Sequence, residues 1–364
     1  MRRTPLGVPF GLLLLGVVGC RTQTGSPPPL PPPHPPVTAA GLGVSLGAGQ
    51  TLGDPIVHEN LAVYPVRAAV SAEVADYLTL DEALAKGVIE VRERSDASVN
   101  TVLVTNRAGM PIFLMAGEVI LGGKQDRVVA KDTVVPAGKK DVEVPVFCVE
   151  PHRWEGETTA FKRSGLQASD AVRRAALVEE DQGRVWARVG EANASAEVSP
   201  ETGAYRVGAS ESEVAKAAQA YVDALVPKLS ADREAIGVVV AVDGKVVSAD
   251  VYQSQALFRK LQTKLLAAHA RDAATSSLQG HARPEAPARA SAQQFLQDAR
   301  KGGTVSRRQS GDAEMTRVEA ERAVGFQTKA AAAPGAPPGE TMLHENYYGR
   351  DRESRGDASH RGPD

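Results

Sequence analysis

Between residues 56 and 149 the chain is cut into short β-branched runs, at 61–66, 88–94, 100–106, 112–121, 127–135 and 141–149. Turn residues bound them, among them Asn106-Arg107-Ala108-Gly109 and Pro136-Ala137-Gly138. Apolar runs of this length, repeated at close spacing between Gly, Pro and Asn, predict an antiparallel sandwich or barrel. One small helix interrupts the series. Thr79 with Glu82 makes a capping box, and Gly87 stops the helix after Lys86. Pro145 cannot donate to a ladder, so the last run is expected at a sheet edge or with a bulge.

The second half reads as helical. Ser169-Asp170 predicts a helix running towards Trp186, and Ser210 with Glu213 predicts another with Val214, Ala218, Tyr221 and Leu225 on one face. Residues 236–242, the turn Asp243-Gly244 and residues 245–251 form a hairpin. No helix starts at Gly244, so Val242-Asp243-Gly244-Lys245 is not a phosphate loop. Ser254 starts a long helix with Leu257, Leu261 and Leu265 in register. Residues 273–310, rich in Ala, Arg and Gln, read as a mobile low-complexity insert, and an apolar signal returns at Val324-Gly325-Phe326 and 341–348. The charged residues 351–364 read as a disordered tail. The expected fold class is α+β: a β-rich, sandwich-like N-terminal lobe, then a helical segment and a β-hairpin–helix lobe, packed as one unit.

The N-terminus has a different character. Arg2 and Arg3 precede an apolar stretch, residues 6–18, that is shorter than the roughly 20 residues a spanning helix needs. Its length is that of a signal-peptide core. It ends Val17-Val18-Gly19-Cys20, which resembles the lipobox of bacterial lipoproteins. The small Gly19 suits the peptidase, and the Cys20 thiol would take a diacylglycerol, followed by a palmitate-type acyl chain on the new amino group. Each buried CH₂ contributes only ~0.8 kcal/mol, so several chains are needed for a stable anchor. Arg21 stands where retention in the inner membrane favours Asp, which points to the outer membrane. An uncleaved anchor or an ordinary secretory signal is the plainer alternative. Residues 27–36, PPPLPPPHPP, form polyproline II about 30 Å long, and Gly41, Gly43, Gly47, Gly49 and Gly53 add flexibility. The expected organisation is a signal peptide at 1–19, a stalk at 20–54, a domain at 55–350 and the tail. Within the domain, the β-rich lobe covers 55–155, the helical and hairpin lobe 156–272, the insert 273–310 and a returning segment 311–350.

Charge and composition exclude some partners. Lys+Arg 42 against Asp+Glu 44, with 4% aromatics, gives neither the basic face nor the stacking platform of a nucleic-acid binder. With Cys20 lipidated, Cys148 has no disulfide partner. The histidines are scattered, with no HExxH or CxxC spacing and no GxGxxG, so no metal and no cofactor are expected. The expected partners are the membrane and an unidentified ligand or protein.

Several blocks together resemble one family. They are Asn60-Leu61-Ala62-Val63-Tyr64-Pro65, Gly117-Glu118, Gly123-Lys124-Gln125-Asp126-Arg127, Val135-Pro136-Ala137-Gly138, Cys148-Val149-Glu150 with Arg153-Trp154, and Gln182-Gly183-Arg184-Val185-Trp186. The hairpin and helix from Val242 to Phe258 also fit. The resemblance is to the proteins named for association with ADP-ribosylglycohydrolases and rhodanese-phosphatases. It spans most of residues 55 to 350 and is weakest from 273 to 340. It implies a link to ADP-ribose or NAD metabolism through neighbouring genes, and no activity or catalytic residue.

Glu118 is the most informative single position, because it interrupts the apolar run 112–121 and a charge there must be paired or functional. A two-residue turn at Gly122-Gly123 would set Leu121 opposite Lys124 and Glu118 opposite Arg127, with Gln125 on the Arg127 face. Glu118, Lys124, Gln125 and Arg127 then either grip an anionic or sugar-like ligand or form a structural ion pair. Glu150, Arg153 and Trp154, beyond the last strand, either line a cleft or make a strand-end salt bridge and an aromatic plug. Cys148 with His152 invites a thiol nucleophile, yet an extended chain parts them by roughly 13 Å. A lone Cys in an apolar strand is more simply a small buried hydrophobe. The leading functional reading is a lipid-anchored envelope protein whose domain binds a ligand or partner. The alternative is a hydrolase-like enzyme acting on an ADP-ribose or nucleotide-sugar derivative, with Glu118 as acid or base and Arg127 as anion clamp.

Overall fold

The computed structural model describes residues 44–350, apart from 48, 70–75, 95–99, 154–159, 282–283 and 332–340. Cys20, the proline stalk, the charged tail and Trp154 lie outside the described residues. The chain begins with β1 (Val44–Gly47), β2 (Gln50–Leu52), β3 (Ile56–His58) and β4 (Leu61–Ala68). β5 (Leu78–Thr79) enters α1 (Leu80–Ala85), where Thr79 and Glu82 form the expected capping box. Then come β6 (Ile89–Glu93), β7 (Thr101–Asn106), β8 (Ile112–Leu114), β9 (Glu118–Gly122), β10 (Arg127–Val129), β11 (Thr133–Val135), β12 (Val142–Cys148) and β13 (Phe161–Gln167). The second half holds α2 (Asp170–Arg174), a π-helical turn Ala175–Glu179, α3 (Gln182–Ser195), α4 (Tyr205–Ser210) and α5 (Glu213–Ala231). β14 (Ala235–Val242) and β15 (Lys245–Tyr252) form the expected hairpin, followed by α6 (Gln255–Leu278) and α7 (Arg289–Arg300). β16 (Gly303–Ser310), β17 (Ala313–Glu319), β18 (Ala323–Ala330) and β19 (Thr341–Gly349) complete the α+β fold.

Two of the long apolar runs break at the same level, and the break makes the sandwich. β8 and β9 come from the run 112–121, and β10 and β11 from the run 127–135. β8 and β11 pair in a three-stranded sheet with β5, while β9 and β10 belong to a six-stranded sheet ordered β13-β9-β10-β12-β7-β6. Gly117 makes the first bend with φ 91°, and an added Cβ there would lie 2.4 Å from the Gln167 amide. Asp132 sits at the second bend, and its carboxylate accepts the Ala116 N–H at 2.8 Å. Leu78, Val91, Val104, Ile112, Leu114, Ile120, Val129 and Val146 fill the space between the two sheets. Pro145 corrects the edge expectation, since β12 is an interior strand. Residues 142–145 pair with β7 and 146–148 with β10, so the missing donor falls where the neighbour changes.

The third sheet joins the two ends of the described chain, in the order β1-β2-β4-β14-β15-β19-β18-β17-β16, with β3 also on β4. β4 therefore leaves the N-terminal lobe and pairs with the hairpin. Its continuous apolar sequence is buried on both faces, so it needs cover on both sides. Leu61 and Val63 pack with Tyr221, Leu225, Leu257, Leu261 and Leu265 of α5 and α6. Ala62, Tyr64 and Val66 pack with Ala292, Leu296 and Ala299 of α7.

Three local expectations are corrected. The helix from Ser169 is broken by the π turn and by Glu180 at φ 51°, after which Asp181 caps α3 through the Arg184 N–H at 2.7 Å. Ser212, not Ser210, caps α5, accepting from the Ala215 N–H at 3.1 Å. The segment 273–310, of which 282–283 lie outside the described residues, contains regular secondary structure where an unstructured insert was expected. It finishes α6 and forms α7 and β16, because Ala292, Leu296 and Ala299 supply a buried stripe at helical spacing. Among the described residues, no helix is long and apolar enough to cross a membrane.

Candidate functional site

The turn between β9 and β10 decides where the charged residues fall. It centres on Gly123-Lys124, one residue later than expected. Gly123 adopts φ 58°, and the Asp126 carboxylate accepts the Gly122 N–H at 2.9 Å. Moving the centre by one residue moves every partner by two, so Arg127 faces Ile120, not Glu118. The predicted Glu118–Arg127 pair is thereby corrected.

Arg127 is fully buried and pairs instead with Glu93, at 3.1 Å. It also donates to Gln125 Oε1 at 3.1 Å and to Cys148 Sγ, its cross-strand neighbour on β12, at 2.8 Å. Burial pushes the Cys148 thiol up despite the guanidinium beside it, which speaks against a nucleophilic thiolate. Gln125 donates to the Glu150 carbonyl at 2.7 Å. The Glu150 carboxylate gathers three donors: Arg153 Nε at 2.8 Å, Thr202 Oγ1 at 2.7 Å and the Asp126 N–H at 3.1 Å. Burial opposes ionisation of Glu150, but these hydrogen bonds outweigh it and hold the carboxyl below its usual range. Arg153 also donates to the Gly123 carbonyl at 2.8 Å and to Asp126 at 3.2 Å, while Arg206 approaches the other Asp126 oxygen at 3.5 Å. The side chains of Arg153 and Arg206 remain 26% and 41% exposed and form the rim of the cluster. Lys124 is exposed, and its N–H donates to Glu93 at 3.1 Å.

Glu118 belongs to a different group. It is 1% exposed and pairs with Lys264 of α6, while its second oxygen accepts the Met115 N–H at 2.7 Å. Lys264 also donates to Asp81 of α1 at 2.9 Å. Burial disfavours the ammonium, but the two carboxylates outweigh that and raise its pKa. Glu118 is therefore held in a buried ion pair with Lys264, apart from Arg127 and the residues around it.

A second buried chain of charge escaped the reading of the sequence. Asp132, His344, Asp250 and Arg173 are each at most 1% exposed. His344 Nδ1 lies 2.7 Å from Asp132 and Nε2 lies 3.2 Å from Asp250. Arg173 holds Asp250 with two hydrogen bonds, at 2.6 and 3.1 Å. The His344 ring stacks on Tyr252 with centroids 4.3 Å apart. Burial works against the imidazolium, but Asp132 and Asp250 outweigh it and raise the His344 pKa to about 9. The chain alternates in sign and is neutral as a whole, the condition under which buried charges are tolerated.

Beside it, Asp170 at the start of α2 meets His269 and Asp272 of α6. His269 Nδ1 lies 3.4 Å from the Asp170 carboxylate, and the Asp170 N–H donates to Asp272 at 3.1 Å. Burial and the neighbouring Asp170 push the Asp272 carboxyl up to about 7.

The sequence model of ARPP-1, the ARG and Rhodanese-Phosphatase-superfamily-associated Protein domain, matches residues 49–347. The chain belongs to this family. No curated protein and no solved structure gives a significant match. The ARPP-1 match contains all four clusters and leaves Cys20 outside it. Of the seven residues singled out from sequence, the structure gathers Gln125, Arg127, Glu150 and Arg153, sets Lys124 at their edge and sends Glu118 elsewhere. Asp250 carried the signal that marks Glu118, a charge among apolar strand residues, whereas Asp132 falls at a bend and His344 is followed by Glu345 and Asn346.

Proposed function

We propose that this chain is a bacterial envelope protein, held by lipid on Cys20 at the outer membrane, whose ARPP-1 domain binds an anionic or sugar-like ligand. One observation carries the binding half. Gln125, Arg127, Glu150 and Arg153 converge at one end of β9, β10 and β12, where the Arg153 and Arg206 side chains remain partly exposed. Guanidiniums fixed by carboxylates present a rigid donor fork, suited to phosphate or carboxylate groups. Support for the anchor is the run Arg2-Arg3, the apolar stretch and Val17-Val18-Gly19-Cys20. The ADP-ribosyl and nucleotide-sugar class enters through the family's name alone and sets the panel to be tried. The test is a thermal-shift screen of the full chain in detergent with ADP-ribose, NAD, nucleotides and cell-wall sugars. A ligand at about 100 times its Kd stabilises by about 2.7 kcal/mol, enough to move the melting temperature by several degrees. The shift should be lost in Arg153→Ala. A shift that persists in that variant, or no shift across the panel at millimolar concentration, removes the rim as the binding site.

A further inference from the structure

We propose that Asp170, His269 and Asp272 form a binding site for a divalent transition-metal ion. His269 and Asp272 sit at i and i+3 on α6, so they share one face of the helix. Asp170 enters from the first position of α2. One donor atom from each residue lies within 4.8 Å of the other two. Donors on one first-row ion, each at roughly 2.0–2.2 Å from it, stand up to about 4.4 Å apart. Small carboxylate rotations are enough to close such a shell.

The histidine is the observation that points to a ligand. His269 has no exposed surface, yet its Nε2 makes no hydrogen bond and its Nδ1 meets only the Asp170 carboxylate, at the long distance of 3.4 Å. Buried polar atoms are bonded in the great majority of cases, so a buried imidazole held only by one long ion pair lacks a partner. Nδ1 faces the Asp170 carboxylate at 3.4 Å, an ion-pair distance without hydrogen-bond alignment. A metal ion between the ring and the two carboxylates satisfies the nitrogen and neutralises both acids. The scaffold is arranged to hold them: the Asp170 N–H donates to Asp272, an outer-shell contact of the kind that fixes a ligating carboxylate. Asp170 and Asp272 are half-buried, which gives the ion a path in and leaves coordination positions for water. One imidazole with two carboxylates favours Mn²⁺, Fe²⁺ or Zn²⁺ over Ca²⁺ and Mg²⁺, whose sites are built from oxygen alone. Sequence spacing gave no hint of this site, because Asp170 is remote in the chain and His-x-x-Asp is not a diagnostic motif.

This inference stands apart from the ligand rim and the lipid anchor, and its test touches neither. The full chain in detergent is stripped with chelator, dialysed and titrated with Mn²⁺, the free ion being read by electron paramagnetic resonance. Co²⁺ is then used as an optical probe of a nitrogen-containing shell. The expected result is one Mn²⁺ per chain and Co²⁺ ligand-field bands. His269→Gln and Asp272→Asn should each weaken binding about tenfold or more. Asp170→Asn changes a partly exposed residue and serves if a buried substitution unfolds the protein, with circular dichroism as the check. Failure of the wild-type chain to bind Mn²⁺ or Co²⁺ at millimolar concentration overturns the proposal. So does binding unchanged in both Asp170→Asn and Asp272→Asn, which marks an adventitious ion only.

Discussion

At the scale of single residues, the interior is organised by charge as much as by apolar packing. Leaving one member of a buried pair alone costs about 3–5 kcal/mol, so each member of these chains depends on its neighbours. His344 makes the dependence measurable. Its pKa, raised to about 9 by Asp132 and Asp250, lies above the usual 6.5. A group raised on folding contributes stability that is complete below its unfolded pKa and is lost as pH rises through the folded one. The protein should therefore lose up to about 3 kcal/mol between pH 6.5 and 9.5, read as falling urea midpoints. The carboxyl groups of Asp132 and Asp250 are held below their usual range, against burial, by His344 and, for Asp250, by Arg173 as well. Their contribution is present above about pH 4 and is lost on acidification. His344→Gln should be less stable at pH 6 and fall less steeply over the alkaline window, the residual slope coming from groups such as Asp272 and His269. Parallel slopes for wild type and variant would exclude His344 as the titrating group. That Glu118 had to be paired was legible from its apolar flanks. Its partner was not, because Lys264 lies 146 residues away and nothing local selects it.

At the scale of elements, local chemistry was readable where it was self-contained. The Thr79–Glu82 box, the Asp243-Gly244 hairpin and the Ser254 cap each depend on residues a few positions apart, and all three form. Elements that depend on distant neighbours were misread. The 112–121 and 127–135 runs look like single strands until Gly117 and Asp132 bend them from one sheet into another. Helix α7 was hidden because its buried stripe is narrow: two alanines and one leucine among Arg, Gln, Ser and Asp. Leu296 has no exposed surface and packs against the face of the large sheet formed by Tyr64, Val239 and Tyr347. Leu296→Ala should cost about 2–5 kcal/mol, visible as a lower denaturant midpoint. A change near zero would mean that the segment is a loose insert after all.

At the scale of the whole molecule, strands from both ends of the domain close one sheet, and buried charges connect that sheet with the sandwich and with α6. Composition and turn spacing foretold an α+β domain with a sandwich-like part. They did not foretell that β4 would pair with β14, since the two are separated by the entire sandwich and both are mostly apolar. Nor did they reveal Asp170, His269 and Asp272 as neighbours. Membership of the ARPP-1 family was carried by Gly117-Glu118, the stretch 123–127 and Cys148-Val149-Glu150, residues that the structure places at bends, turns and strand ends. The central claim about the molecule in the cell is that this domain is tethered through Cys20. It is tested most directly by expressing the full chain and Cys20→Ala with labelled palmitate, followed by membrane fractionation and intact mass. The wild-type chain should begin at Cys20, carry acyl label and sediment with membranes, and the variant should lose the label and become soluble. Label and sedimentation that persist in Cys20→Ala, or a wild-type chain without acyl mass, would contradict the tether.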